Sequence, residues 1–251
     1  MMSMIASPVL YMQTSQAKDT AVSIALIDFY ADGHHGPYLQ DLVSGLNKTP
    51  ASVKVIGSPD LVRFVPAGVL CPIRGCEQLI GKQGIRRQWV ARELFGNAIT
   101  QAMISSSTHI HFLYTDWHVS AIATSWRQMQ PLPAQPVLTV HWSTGVGTAS
   151  GVKDKLRRYP HRLALRWLVD RAGACVLVHH ESVAIGLSDI IDHNHIYVVP
   201  YPSQPLFAPD SIEKSLFRAS LGLIEEDTLM LCFGDTRFDK GADLAVQMLK
   251  K

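Results

Sequence analysis

Short apolar runs alternate with segments of helical spacing along most of this 251-residue chain, and few folds accept that rhythm. Residues 22–29 (VSIALIDF) form a nearly continuous apolar run rich in β-branched side chains, the pattern of a strand buried on both faces. A Gly-rich turn, 31–37 (ADGHHGP), follows, and Tyr38, Leu39, Leu42, Val43 and Leu46 then recur at helical spacing. The alternation continues. Strands are expected at 53–56, 63–65, 109–114, 137–141, 174–178 and 196–199, and helices at 85–104, 119–129, 161–172 and 182–190. Strands interleaved with helices predict an α/β fold, a doubly wound parallel sheet.

The tract 200–205 (PYPSQP) breaks this rhythm and reads as a linker. Beyond it a helix is expected at 212–221, a strand at 228–233 (TLMLCF), a Gly-bounded turn at 234–241 and a further helix at 242–249. One strand and part of a helix cannot make a sheet. The expected organisation is therefore a loose leader at 1–20, a Rossmann-like domain at 21–200, a linker and helix at 201–225, and an incomplete second α/β domain at 226–251.

Composition narrows the function classes. A net charge of +2 leaves no polyelectrolyte surface for nucleic acid, so no nucleic-acid partner is expected. The first residues place no basic group ahead of their apolar stretch, and no run approaches the ~18 apolar residues of a membrane span. A cytoplasmic protein is expected. Of four cysteines, Cys175 and Cys232 sit in apolar runs, and Cys71 and Cys76 lack a matching second pair of zinc ligands. No metal site is expected.

Three segments resemble the retaining glycosyltransferases of family 4 and their GT-B relatives. They are DFYADGHHGPYLQDL (28–42), VLTVHWSTG (137–145) and FRASLGLIEEDTLMLCFGDTRFDKGADLAVQML (217–249). The resemblance covers nearly all of 21–251 and implies an acceptor-side domain followed by the first βα unit of a donor-binding domain. It implies transfer of a hexose from a nucleotide diphosphate sugar to a glycan or lipid-linked acceptor, with no cofactor beyond the donor itself. The paired-glutamate motif by which the family grips its donor has no counterpart here. The chain as given is accordingly expected to hold an acceptor side and an incomplete donor site and to be inactive alone, with a donor domain supplied in trans as one alternative.

Candidate site residues follow. The backbone of Gly33, His34, His35 and Gly36 joins a strand to a helix, where N–H groups and the helix dipole favour an anion such as a donor phosphate. The spacing is not the Gly-x-Gly-x-x-Gly dinucleotide fingerprint. His141 ends a central strand, and the resemblance places it against the donor sugar as a positioning and electrostatic residue. Arg237 and Lys240 match family positions that neutralise the donor diphosphate, although Asp235 stands where many members carry Arg. Asp28, Asp32, Asp116 and Trp117 are further cleft candidates. His109, His111, His179 and His180 are read as structural or cleft-lining.

Lys153, Lys155, Arg157, Arg158, Arg162, Arg166 and Arg171 interleave with Leu163, Leu165, Trp167 and Leu168. A helix of this kind packs an apolar face on the sheet and can also meet an anionic membrane, where a lipid-linked acceptor would lie. Two other classes share the architecture. One is a non-catalytic remnant or one half of a split transferase. The other is a nucleotide-sugar epimerase or another α/β cleft enzyme, which no residue specifically favours.

Overall fold

The computed structural model describes residues 21–82, 84–141, 152–201, 211–224 and 226–227. The chain divides into two compact units, Met1–Ser203 and Gln204–Lys251. In the first unit, strands β1 (Ser23–Asp28), β2 (Ser52–Gly57), β3 (Leu70–Pro72), β4 (His109–Phe112), β5 (Gln135–Val140), β6 (Cys175–Val178) and β7 (Ile196–Val198) form one sheet. The order is β3-β2-β1-β4-β5-β6-β7, and every pair is parallel. Helices α1 (His35–Leu46), α2 (Gly84–Ile104), α3 (Val119–Met129), α4 (Val152–Ala172) and α5 (Glu181–Leu187) make the connections.

This is a doubly wound α/β fold. From β1 the chain steps outward through α1 to β2, and from β4 it steps the other way through α3 to β5. Right-handed crossovers therefore place α1 on one face and α2 to α5 on the other. The core divides accordingly. Leu26, Val55 and Leu113 pack with Leu39 and Val43 of α1, whereas Ile27, Phe112, Leu138 and Val176 pack with Phe95, Ile122, Leu168 and Leu187. Helix α2 buries Ala91, Leu94, Phe95, Ala98, Ile99 and Ala102, a single stripe of the 3.6-residue repeat.

Two expectations fail locally. Residues 63–65 are not a strand. Ser58 Oγ accepts the Asp60 N–H at 3.3 Å and caps a 3-10 turn, Pro59–Arg63, so the third strand forms later, at Leu70–Pro72. Helix α4 begins at Val152 rather than 161 and carries Pro160 inside it. In the second unit the described residues comprise α6 (Ser211–Ser220) and the turn after it. There the Arg218 guanidinium donates to the carbonyls of Ile224 (2.5 Å) and Asp227 (2.7 Å) and folds the turn. The strand expected at 228–233 and the helix at 242–249 lie outside the described residues. Among the described residues no helix is long and apolar enough to cross a membrane.

Candidate functional site

All seven strands point their C-terminal ends at one edge, and the helices that follow them start there. The edge therefore collects strand-end side chains together with the positive ends of helix dipoles. Between β1 and β4 the direction in which the chain winds across the sheet reverses, and open α/β sheets take ligands at such a switch point.

Asp28, the last residue of β1, is buried with 3% of its surface exposed. Its Oδ1 accepts the Tyr30 N–H at 3.0 Å, and its Oδ2 accepts from His35 Nδ1 at 2.8 Å. That pairing puts the proton on Nδ1 and leaves Nε2 as the reactive nitrogen, with no hydrogen-bond partner among the described residues. The His35 ring lies 5.1 Å from Tyr30, 4.8 Å from Tyr114 and 4.9 Å from His34. Gly57 makes the arrangement sterically feasible. A Cβ there would sit 1.7 Å from the Asp28 carbonyl oxygen, so only glycine lets β2 end against Asp28.

A second chain of contacts leaves Tyr30. Arg87, near the start of α2, donates from Nη2 to the Tyr30 hydroxyl at 2.8 Å. The Tyr30 hydroxyl in turn lies 2.9 Å from His118 Nε2 and donates to it. His118 is fully buried, and burial first, then the charge of Arg87, pushes its pKa down to about 3. Burial likewise raises the Tyr30 pKa, so this phenol keeps its proton.

On the β5–β6 side, three rings are held by the backbone and by one another. His141 Nε2 donates to the Leu113 carbonyl at 2.8 Å, and Tyr201 donates its hydroxyl proton to Nδ1 at 2.5 Å. The His141 N–H donates to Asp116 Oδ2 at 3.2 Å. Burial is the main cause that brings the His141 pKa down to about 4, so the ring is neutral near pH 7. His179 Nδ1 donates to the Val199 carbonyl at 2.8 Å, and its ring lies 3.8 Å from Tyr201. Tyr38 packs edge-on against His141, His179 and Tyr201.

The expected site residues meet different fates. His34, His35 and His141 come together, the His34 ring 5.9 Å from His141. Gly33 takes a positive φ of 62°, which its turn requires. The backbone cradle itself is thin. The His35 N–H already donates to the Asp32 carbonyl at 3.3 Å, and Pro37 has none. Gly36 serves packing, because a Cβ there would lie 2.2 Å from the Phe64 ring. Arg237 and Lys240 lie outside the described residues.

Among the other candidates, Asp116 is buried beneath His141, and the Trp117 carbonyl accepts from Gln88 Nε2 at 2.6 Å. Asp32 is exposed. His111 is buried, its pKa lowered to about 3 chiefly by burial, with Nε2 2.7 Å from Thr139 Oγ1. Cys71 and Cys76 are free thiols, and Cys76 Sγ donates to the Ile73 carbonyl. Among the described residues no group of three or more His, Cys, Asp or Glu side chains could hold a metal ion. Sequence reasoning missed Tyr30, Tyr38, Arg87 and Tyr201 altogether, and it valued His35 for its backbone rather than its ring. The readable signal was an acid ending a buried strand with a histidine in the first turn of the next helix.

Sheet order defines the class, a doubly wound α/β protein with histidine and tyrosine rings gathered at the C-terminal edge beside its switch point. No family model matches the chain, and no curated protein matches it. Two solved structures are similar. A Listeria monocytogenes protein assigned as a UDP-N-acetylglucosamine 2-epimerase matches with 11% identity and a TM-score of 0.47, over 71% of this chain and 44% of that one. The UDP-GlcNAc 2-epimerase of Methanocaldococcus jannaschii matches with 12% identity and a TM-score of 0.42, over 72% of this chain and 45% of that one. The chain thus spans less than half the length of either. At this level of similarity neither carries chemistry across to this protein.

Proposed function

We propose that this chain supplies the acceptor-side domain of a GT-B type glycosyltransferase, which moves a hexose from a nucleotide diphosphate sugar to a glycan or lipid-linked acceptor. The Asp28–His35 pair at the β1/β4 crevice carries the proposal. A carboxylate on Nδ1 orients the imidazole and stabilises the imidazolium formed when Nε2 takes a proton. In the transfer, His35 Nε2 removes the acceptor hydroxyl proton as that oxygen bonds to the anomeric carbon. The bond from that carbon to the diphosphate breaks, and the leaving oxygen keeps the electron pair. The helix N-termini at the same edge favour that developing negative charge. Arg237 and Lys240 are assigned to the diphosphate by the resemblance.

Stereochemistry sharpens this reading. The resemblance implies retention, whereas a base acting on the acceptor suits direct displacement with inversion. The exposed Leu156, Tyr159 and Leu163 of α4, beside Lys155, Arg162 and Arg166, support a lipid-linked acceptor met at an anionic membrane surface. The decisive assay uses the protein captured from its source at natural length, supplied with labelled nucleotide sugars and glycan and lipid acceptors. A glycosylated product, lost on His35→Gln, is expected. A folded protein that transfers no sugar overturns the proposal.

The same dyad also fits epimerisation of a nucleotide sugar by proton exchange, in which a base takes the C–H proton and a proton returns to the opposite face of the carbon. Incubation with nucleotide sugar in D2O, without acceptor, separates the two. Deuterium on the sugar carbon marks epimerisation, and its absence alongside glycosylated product marks transfer.

A further inference from the structure

The transfer chemistry leaves Arg87 unused, and its surroundings are unusual for an arginine. Its guanidinium is half-buried, on the first turns of α2, at the edge where the site lies. Arginine stays protonated at any ordinary pH, so a full positive charge stands there. No carboxylate pairs with it among the described residues. Its close polar neighbours are the Tyr30 hydroxyl at 2.8 Å and His118 Nε2 at 3.4 Å, and both groups are neutral. Asp28, the nearby acid that also influences Tyr30, is already paired with His35.

Hydrogen bonding points the same way. Arg87 Nε is buried with no acceptor, and the adjacent Gln88 Oε1 is buried with no donor. Buried guanidinium N–H groups are rarely left unmade, and each that is left needs a reason. An uncompensated charge, an orphaned donor and a position one ring from His35, through Tyr30, coincide at a single residue.

We infer that Arg87 is an oxyanion-binding residue, whose guanidinium pairs with a phosphate, diphosphate or carboxylate group of the ligand held in the β1/β4 crevice. Arginine's planar fork suits two oxygens of such a group at once. Arg87 thereby adds a side-chain donor from α2 to the anion-binding role expected of the turn at 33–36. This assignment does not depend on sugar transfer.

The test is a titration of the full chain, at constant ionic strength, with inorganic phosphate, pyrophosphate and acetate. The reporter is the Arg87 Nε–H nitrogen–proton resonance, assigned by its disappearance in Arg87→Lys. A saturable shift of that resonance is expected with at least one probe. By calorimetry, Arg87→Gln should weaken that probe at least about tenfold, with Arg87→Lys intermediate because it keeps the charge and loses the fork. Saturation by acetate but not by the phosphates would identify the ligand group as a carboxylate. Absence of a saturable shift with all three probes overturns the inference, as does undiminished binding by folded Arg87→Gln. If that variant does not fold, the wild-type titration still decides. Probe binding without any sugar chemistry would leave Arg87 assigned and the transferase proposal refuted.

Discussion

Two histidine groups share the C-terminal edge of the sheet and are held by opposite chemistry. Beside β1, His35 faces a buried carboxylate and keeps one nitrogen unengaged. Beside β5 and β6, His141 and His179 face backbone carbonyls and a phenol, and His141 has both nitrogens engaged. A carboxylate partner lets an imidazole accept a proton during a reaction, whereas burial, outweighing the bond to a backbone carbonyl, keeps His141 neutral. Residue type is the same on both sides, and the partner sets the role. The proposed function gives proton transfer to the β1 side and positioning to the β5–β6 side.

The largest expected effect tests that division directly. His35→Gln and Asp28→Asn should each lower turnover by roughly 10²–10⁴, the usual contribution of a positioned base, while His141→Gln should cost about tenfold or less. Steady-state kinetics on folded variants decides this, and a larger loss at His141 would reverse the two roles. Stability should also distinguish the glycines around the β1 side. Gly57→Ala forces a Cβ against a backbone oxygen and Gly36→Ala forces one against an aromatic ring that can shift. Overpacking of this kind costs roughly 1–3 kcal/mol. Urea melts should rank Gly57→Ala as the worse, and Phe64→Leu should restore part of the loss from Gly36→Ala only.

The pH dependence probes the neutral histidines. In the unfolded chain these rings take protons near pH 6.5, whereas folded His111 and His118 wait until about 3 and His141 until about 4. Within that window the unfolded chain binds more protons. Stability is therefore full above 6.5 and is lost as the pH falls, by at most ~1.4 kcal/mol per unit for each ring. Urea midpoints at pH 7, 6 and 5 should trace the decline, and His111→Asn should flatten it. An unchanged slope would mean that this ring does not exchange protons differently on folding. The smallest effect belongs to Tyr201→Phe. It removes a donor to the neutral His141 ring, so NMR titration should find the His141 pKa raised, with turnover changed less than about threefold.

Much of the fold was legible because buried parallel strands write themselves as apolar runs, and β1, β4, β5 and β6 stand close to where that pattern puts them. The failures have physical causes. Phe64 and Val65 have strand-forming side chains, but the Ser58 cap and Pro59 start a 3-10 turn first, and Phe64 fills the space that Gly36 leaves. Pro160 reads as a helix boundary, yet the helix continues through it. The site was less legible than the fold. His141 and His179 meet across 38 residues of chain, and Arg87 reaches Tyr30 across 57. No local pattern encodes such meetings, which exist only once the sheet order is formed.

The all-parallel sheet also governs how this domain must come into being. With no hairpin anywhere in it, no two strands can zip together from a tight turn. Paired positions lie between 15 residues apart (Val55 with Leu70) and 85 apart (Ile24 with His109). The β1–β4 contact that creates the crevice is the most distant of all, so its loop-closure entropy must be met before the cleft exists. During synthesis β1 meets its β2 partner first, as Ser23 pairs with Ser52, while its other edge stays unmatched until β4 has followed. The crevice is thus a late product of folding, and one edge of β1 stays open in the nascent chain until it forms.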